Sequence, residues 1–176
     1  VAPPGPVMPK EDLSPASIKK LFTNKAYLSV LTVCFISIGI FNTVLTVLES
    51  ILLPHGISSA DAGVIGAVFV VAGVVGAVIL PVLSDKAGIR IPFFIGSIIL
   101  LIPAYLGFTF VDSFIFLVII AGVAGFTIMG VAPILFQHGS EVAYPIQEGT
   151  SLGMILLMGQ ISGVLFVFLF DLLKNM

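Results

Sequence analysis

The chain has 176 residues, of which 59% are apolar and only 9% charged, with a formal net charge of −2. A soluble domain carries about 25% charged residues, so a water-soluble fold is excluded by composition. No basic run points to nucleic acid, and a single cysteine, Cys34, excludes an internal disulfide.

Residues 1–13 open with VAPPGPVMPK, a proline-rich composition expected of an interdomain linker. In the following LSPASIKKLFTN, Ser14 suits a helix cap and Pro15 its first position. Ile18, Leu21 and Phe22 then form an apolar face beside Lys19, Lys20 and Lys25. The expectation over 14–26 is a cytoplasmic interfacial helix. Five apolar stretches follow and predict spanning helices over 27–53, 61–83, 91–110, 114–142 and 147–172. At about 1.5 Å per residue, about 20 residues cross a hydrocarbon core of about 30 Å. The expected fold class is an all-α membrane protein, a bundle of five transmembrane helices with lipid as its solvent.

The basic residues fix an expected orientation. Lys10, Lys19, Lys20, Lys25, Lys86 and Arg90 fall on one side of alternating spans, and Lys174 on the other. The positive-inside rule places the N-terminus and the loops near 84–90 and 141–150 in the cytoplasm.

On the first span, Asn42, Thr46 and Glu49 form a polar stripe with Phe41 beside it, as a helix lining an aqueous path requires. Glu49 is placed either to attract a cation or carry a proton, or to snorkel to the outer interface. The second span has Gly63, Gly66, Gly73 and Gly76, which suit close contact with a further set of helices. After it comes PVLSDKAGIRIP, a tight loop with Asp85, Lys86, Gly88 and Arg90. Gly88 permits the turn, and Asp85 can face the positive end of a neighbouring helix. The third span is almost wholly apolar, as a lipid-facing helix should be.

The fourth span repeats Gly130, Pro133, Gln137 and Glu141 on one face. Pro133 removes a backbone donor and predicts a hinge, with Gln137, His138 and Glu141 at the inner mouth. In the fifth span Gln160 lies near mid-bilayer. An amide there either faces a wet cavity or bonds to a neighbouring helix beside the Gly159–Gly163 pair. Glu148 sits where an acid stabilises a helix N-terminus, with Arg90 or a basic loop elsewhere as possible partners. Nothing matches a metal cluster, a phosphate loop or a nucleophile with its base, so the expectation is no enzyme, no metal and no cofactor.

The loop at Asp85–Arg90 resembles the G-x-x-x-D-(R/K)-x-G-(R/K)-(R/K) signature of the major facilitator superfamily, with Pro81 in place of the leading glycine. The resemblance implies a latch that holds the cytoplasmic ends of two six-helix halves together. Linker, interfacial helix and five spans then correspond to the C-terminal half, helices seven to eleven. An odd number of spans, a linker start and an abrupt stop agree with a piece of a longer polypeptide.

A narrower likeness runs from Pro133. Glu141, Tyr144, Pro145, Glu148, Gly149, Thr150 and Ser151, followed by Gly153 and Gln160, resemble the feline leukaemia virus subgroup C receptor-related family. Members are carriers of choline and ethanolamine, and of haem. The resemblance implies that Phe41 and Gln160 contribute to a substrate cavity, with phenylalanine here where tyrosine is usual and Gln137 where a glutamate is usual.

The functional expectation is half of a secondary-active transporter moving a small organic solute around a midplane site. Candidate solute contacts are Phe41, Asn42, Thr46, Glu49, Gln137 and Gln160. Candidate gating residues are Asp85, Lys86, Gly88, Arg90, Pro133, Glu141 and Glu148. Expected partners are the lipid bilayer, the N-terminal half of the same transporter and a small-molecule solute, in the plasma membrane. The alternatives are a non-transporting module or receptor, and a proton-coupled multidrug exporter using Glu49.

Overall fold

The computed structural model describes residues 14–174; the linker expected over 1–13 lies outside them. Six α-helices follow one another: α1 (Pro15–Thr23), α2 (Lys25–Leu52), α3 (Ser59–Ala87), α4 (Ile91–Phe110), α5 (Phe114–Val142) and α6 (Glu148–Lys174). A single 3-10 turn, Leu53–His55, closes α2. Helices α2 to α6 are each long and apolar enough to cross a membrane.

Local chemistry sets the helix ends. The Ser14 hydroxyl accepts from the Ser17 N–H at 3.1 Å, and Pro15 stands at the first helical position. Asn24 separates α1 from α2 and caps the second, its Oδ1 accepting from the N–H groups of Ala26 (3.0 Å) and Tyr27 (3.2 Å). Ser58 caps α3 through the Asp61 N–H. Gly88 ends α3 at φ +66°, a left-handed conformation that glycine adopts without steric cost.

Helix α5 is the most buried span, and α4 the least. The main packing partners are α3 with α5, α2 with α6, and α4 with α5. Ile91, Ile95, Ile98, Ile99, Ile102 and Phe110 stand exposed on α4, as a lipid-facing surface should.

The α3–α5 seam is built from glycine. A Cβ at Gly76 would run into the Phe126 carbonyl, one at Gly125 into the Phe69 carbonyl, and one at Gly130 into Gly76 and the Leu80 side chain. Lipid supplies little hydrophobic drive between helices, so close backbone approach supplies the dispersion contact instead. Gly73 and Gly76 are therefore spent inside this chain, which corrects the expectation of contact with further helices for these two, whereas a Cβ at Gly63 would meet nothing within 4 Å. The supposed stripe on α5 divides for the same reason: Gly130 faces α3, whereas Pro133 lines a cavity.

Both ends of the bundle are tied. At the basic end, Asn24 Nδ2 donates to the Val142 carbonyl at 2.8 Å, and the buried Tyr27 hydroxyl donates to the Ser151 carbonyl at 2.7 Å. The start of α2 is thereby fixed to the α5–α6 connection. At the opposite end His55 Nδ1 lies 2.6 Å from Asp112 Oδ1, joining the α2–α3 and α4–α5 connections.

Candidate functional site

Two cavities meet on α2 and α6. The nearer one, toward the basic end, has a volume of about 250 Å³ and is bounded by α2, α5 and α6. Its wall is largely apolar, with Phe41, Met129, Pro133 and Phe136 prominent. Phe41 is held by its neighbour Phe69, ring centroids 5.9 Å apart. The second cavity, toward the opposite end, has about 720 Å³ and runs between α2 and α6. Thr46, Ser50, Asp171 and Lys174 give it a polar lining. Asn42 and Gln160 are the residues common to both.

The α2–α6 seam explains why these two amides stand together. A Cβ at Gly159 would press on Ile38, and one at Gly163 would come within 2.9 Å of Asn42 Nδ2 and 3.0 Å of its Cβ. The Asn42 side chain thus lies over bare glycine backbone. Gln160, one turn before Gly163, is exposed. Neither amide makes a hydrogen bond among the described residues, so the interhelical bond considered for Gln160 does not form there. The Thr46 hydroxyl donates to the Asn42 carbonyl at 2.7 Å, a back-bond that satisfies its proton in an apolar setting. Its oxygen can still accept.

The sequence candidates therefore separate. Phe41, Asn42, Thr46 and Gln160 come together, with Pro133 beside them. Glu49 and Gln137 are exposed and line neither cavity. On α2 the lining advances in steps of four, Asn42 to Thr46 to Ser50, and each step drifts about 40° round the helix, away from Glu49. On α5 the last lining positions are Leu135 and Phe136. Ser50, Asp171 and Lys174 were missed. Ser50 was legible as the next i+4 position, while the other two lie in the last turns of the last span, where falling hydropathy hides a lining role.

At the basic end Arg90 makes a two-pronged contact with Glu141, one prong from Nη2 to Oε1 at 2.6 Å and the other from Nη1 to Oε2. Such fork-to-carboxylate geometry fixes orientation as well as charge. Arg90 takes Glu141 rather than Glu148, which is exposed in the first turn of α6. Asp85 and Lys86 are exposed beside Gly88, and neither side chain has an ion-pair partner among the described residues. His138 packs its ring 6.2 Å from that of Phe94.

Residues 2–167 match a family model described as Major Facilitator Superfamily. The chain is 33% identical over 160 residues to the choline/ethanolamine transporter flvcr2a of Danio rerio, covering 86% of this chain and 33% of that protein. It is 33% identical over 159 residues to the choline/ethanolamine transporter FLVCR1 of Felis catus, covering 85% of this chain and 28% of that protein. Solute carrier family 49 member A3 of Xenopus tropicalis is 31% identical over 166 residues, covering 91% of this chain and 34% of its own length. The chain thus spans about a third of the length of these curated relatives.

Proposed function

Because the chain belongs to the major facilitator superfamily, we propose that it is the C-terminal half of a secondary-active transporter. It moves a small organic solute by alternating access around the place where Asn42, Thr46 and Gln160 converge beside Phe41. The observation that carries this reading is Gln160, an exposed amide in the middle of a spanning helix with no protein partner among the described residues. In hydrocarbon an unpaired amide costs several kcal/mol, so the group belongs against a wet, solute-filled space.

The solute is a small amino alcohol of the choline and ethanolamine type, the class named for two of the relatives. The chemistry suits it. The face of Phe41 attracts a quaternary ammonium, and the Gln160 amide can both donate to and accept from a hydroxyl. The bundle sits in the plasma membrane with its basic end in the cytoplasm, following Lys19, Lys20, Lys25, Lys86 and Arg90.

There the Arg90–Glu141 pair holds the α3–α4 loop against α5. Asp85 and Lys86, presented by the turn at Gly88, meet the N-terminal half of the same transporter. Pro133 deprives the Met129 carbonyl of its helical donor and gives α5 a place to bend beside the cavity. Glu148 favours the start of α6 through the helix dipole. Glu49 and Gln137 stand at the rims, outside the central contacts. The exporter alternative rests its coupling on Glu49, which lines neither cavity. The reading involves no enzyme chemistry.

The test is thermal stabilisation of the full-length parent protein by choline, ethanolamine, haem and several drug-like cations, joined to uptake of any ligand that stabilises it. Stabilisation by an amino alcohol is expected. Gln160→Ala should weaken uptake about three- to tenfold at equal surface expression, the worth of one lost hydrogen bond. Stabilisation and uptake that ignore Gln160→Ala would remove the site, and no response to any ligand would remove the substrate class.

A further inference from the structure

The glycines of α6 differ in what they make room for. Gly159 leaves space for the aliphatic Ile38, whereas Gly163 leaves space for an amide, Asn42. A Cβ at Gly163 would stand 2.9 Å from Asn42 Nδ2 and 3.4 Å from its Cγ. Residues three apart are neighbours on a helix face, so lying against Gly163 brings Asn42 beside Gln160. Both amides line both cavities. We propose that Asn42 and Gln160 together read the hydroxyl of the solute, and that Gly163 is the positioning residue that holds Asn42 where it can do so. This deepens the transport reading and rests on it.

The chemistry calls for two groups. A hydroxyl has a proton to give and lone pairs that accept, and a carboxamide offers both an acceptor oxygen and donor N–H groups. One amide would leave part of that capacity unmet beside an apolar wall, where an unpaired polar group is costly. Two amides can meet it, one accepting and one donating. Such a site rejects an analogue without the hydroxyl, because its own amides are then left unpaired. Gly163 enters through sterics. A helical side chain has two open χ1 wells, since the third clashes with the preceding turn. A methyl at Gly163 blocks the well that lays Asn42 over α6, and the amide moves to the other, about 120° away. The Asn42 Cβ, 3.0 Å from that methyl, does not turn with χ1, so the seam also widens slightly.

Uptake of choline by the full-length protein at equal surface expression, with ethyltrimethylammonium as competitor, tests the proposal. The competitor is choline with hydrogen in place of the hydroxyl; ethanolamine against ethylamine is the second pair. Wild type should prefer the hydroxylated member about tenfold. Asn42→Ala should raise its KM about three- to tenfold and leave the inhibition constant of the competitor unchanged. Gly163→Ala should reproduce that pattern, and both substitutions together should do no more than Asn42→Ala alone. If Gly163→Ala does not reach the surface, adding Asn42→Ala should bring it back. No preference in the wild type overturns the proposal, as does a preference that survives Asn42→Ala. Equal weakening of both members by Gly163→Ala, additive losses in the double variant, or a double variant that stays off the surface overturns the role of Gly163. Wild type that takes up neither amino alcohol fails differently: it removes the amino-alcohol reading itself, and this proposal with it.

Discussion

Two seams in this molecule use the same residue for opposite ends. Between α3 and α5, glycine meets backbone: Gly76 and Gly125 each lie against a carbonyl of the facing helix. Between α2 and α6, glycine meets side chains: Gly159 lies against Ile38, Gly163 against Asn42, and Gly39 against Ser162 and Phe166. A backbone carbonyl cannot rotate away without breaking its own helix, whereas a side chain can change rotamer. The first seam is a weld, and the second is a surface that can re-pack. Both cavities lie along the second, where the proposed alternating access would need its moving contacts.

Paired alanine substitutions would break or sharpen that contrast. Gly125→Ala should cost about 3 kcal/mol of stability, the upper range for overpacking, since the Phe69 backbone must yield. Gly159→Ala should cost about 1 kcal/mol, as Ile38 can shift part of the strain into its rotamer. Thermal unfolding of the full-length protein in detergent measures both. Equal losses would erase the distinction between the seams. A larger loss at Gly159 would reverse it.

How far the sequence reveals this depends on what kind of signal each feature leaves. The spans, the Ser14 cap, the Gly88 turn and the lipid-facing α4 are legible because hydropathy and local stereochemistry are properties of neighbouring residues. Glycine in α3 announces close approach but carries no side chain to name its partner, so α5 could not be told from an absent helix. Phe41, Asn42, Thr46 and Gln160 were found by their polarity or position within apolar runs. Glu49 and Gln137 were included by the same reasoning and fell outside both cavities, because a lining that follows four-residue steps drifts round its helix. Asn24 was passed over entirely: its second role is a bond to Val142, 118 positions away, and no local pattern encodes that.

The basic end offers a smaller test on the α2 side of the comparison. Tyr27 is buried and its hydroxyl bonds the Ser151 carbonyl, fixing the first turns of α2 to α6 while the seam above them stays adjustable. Tyr27→Phe should cost about 1 kcal/mol, the net worth of one buried hydrogen bond. It should also loosen the start of α6, read as faster amide exchange around Ser151. A stability loss with unchanged exchange there would mean that the bond supports α2 alone.

The Arg90–Glu141 contact has the smallest expected effect, for a reason that separates fastening from stability. Its side chains keep 23% and 51% of their exposure, so water competes for both charges and salt screens them. A double-mutant cycle with Arg90→Ala and Glu141→Ala should give a coupling of about 0.5–1 kcal/mol, the upper part of the range for exposed pairs because the guanidinium engages both carboxylate oxygens. High salt should reduce it. A contact of that strength can be made and broken at little cost, as the proposed transport cycle would require, which a fully buried ion pair could not do. A coupling above about 2 kcal/mol in the full-length protein would mean that the pair is desolvated there and behaves as a buried ion pair that fastens the α3–α4 loop to α5 permanently.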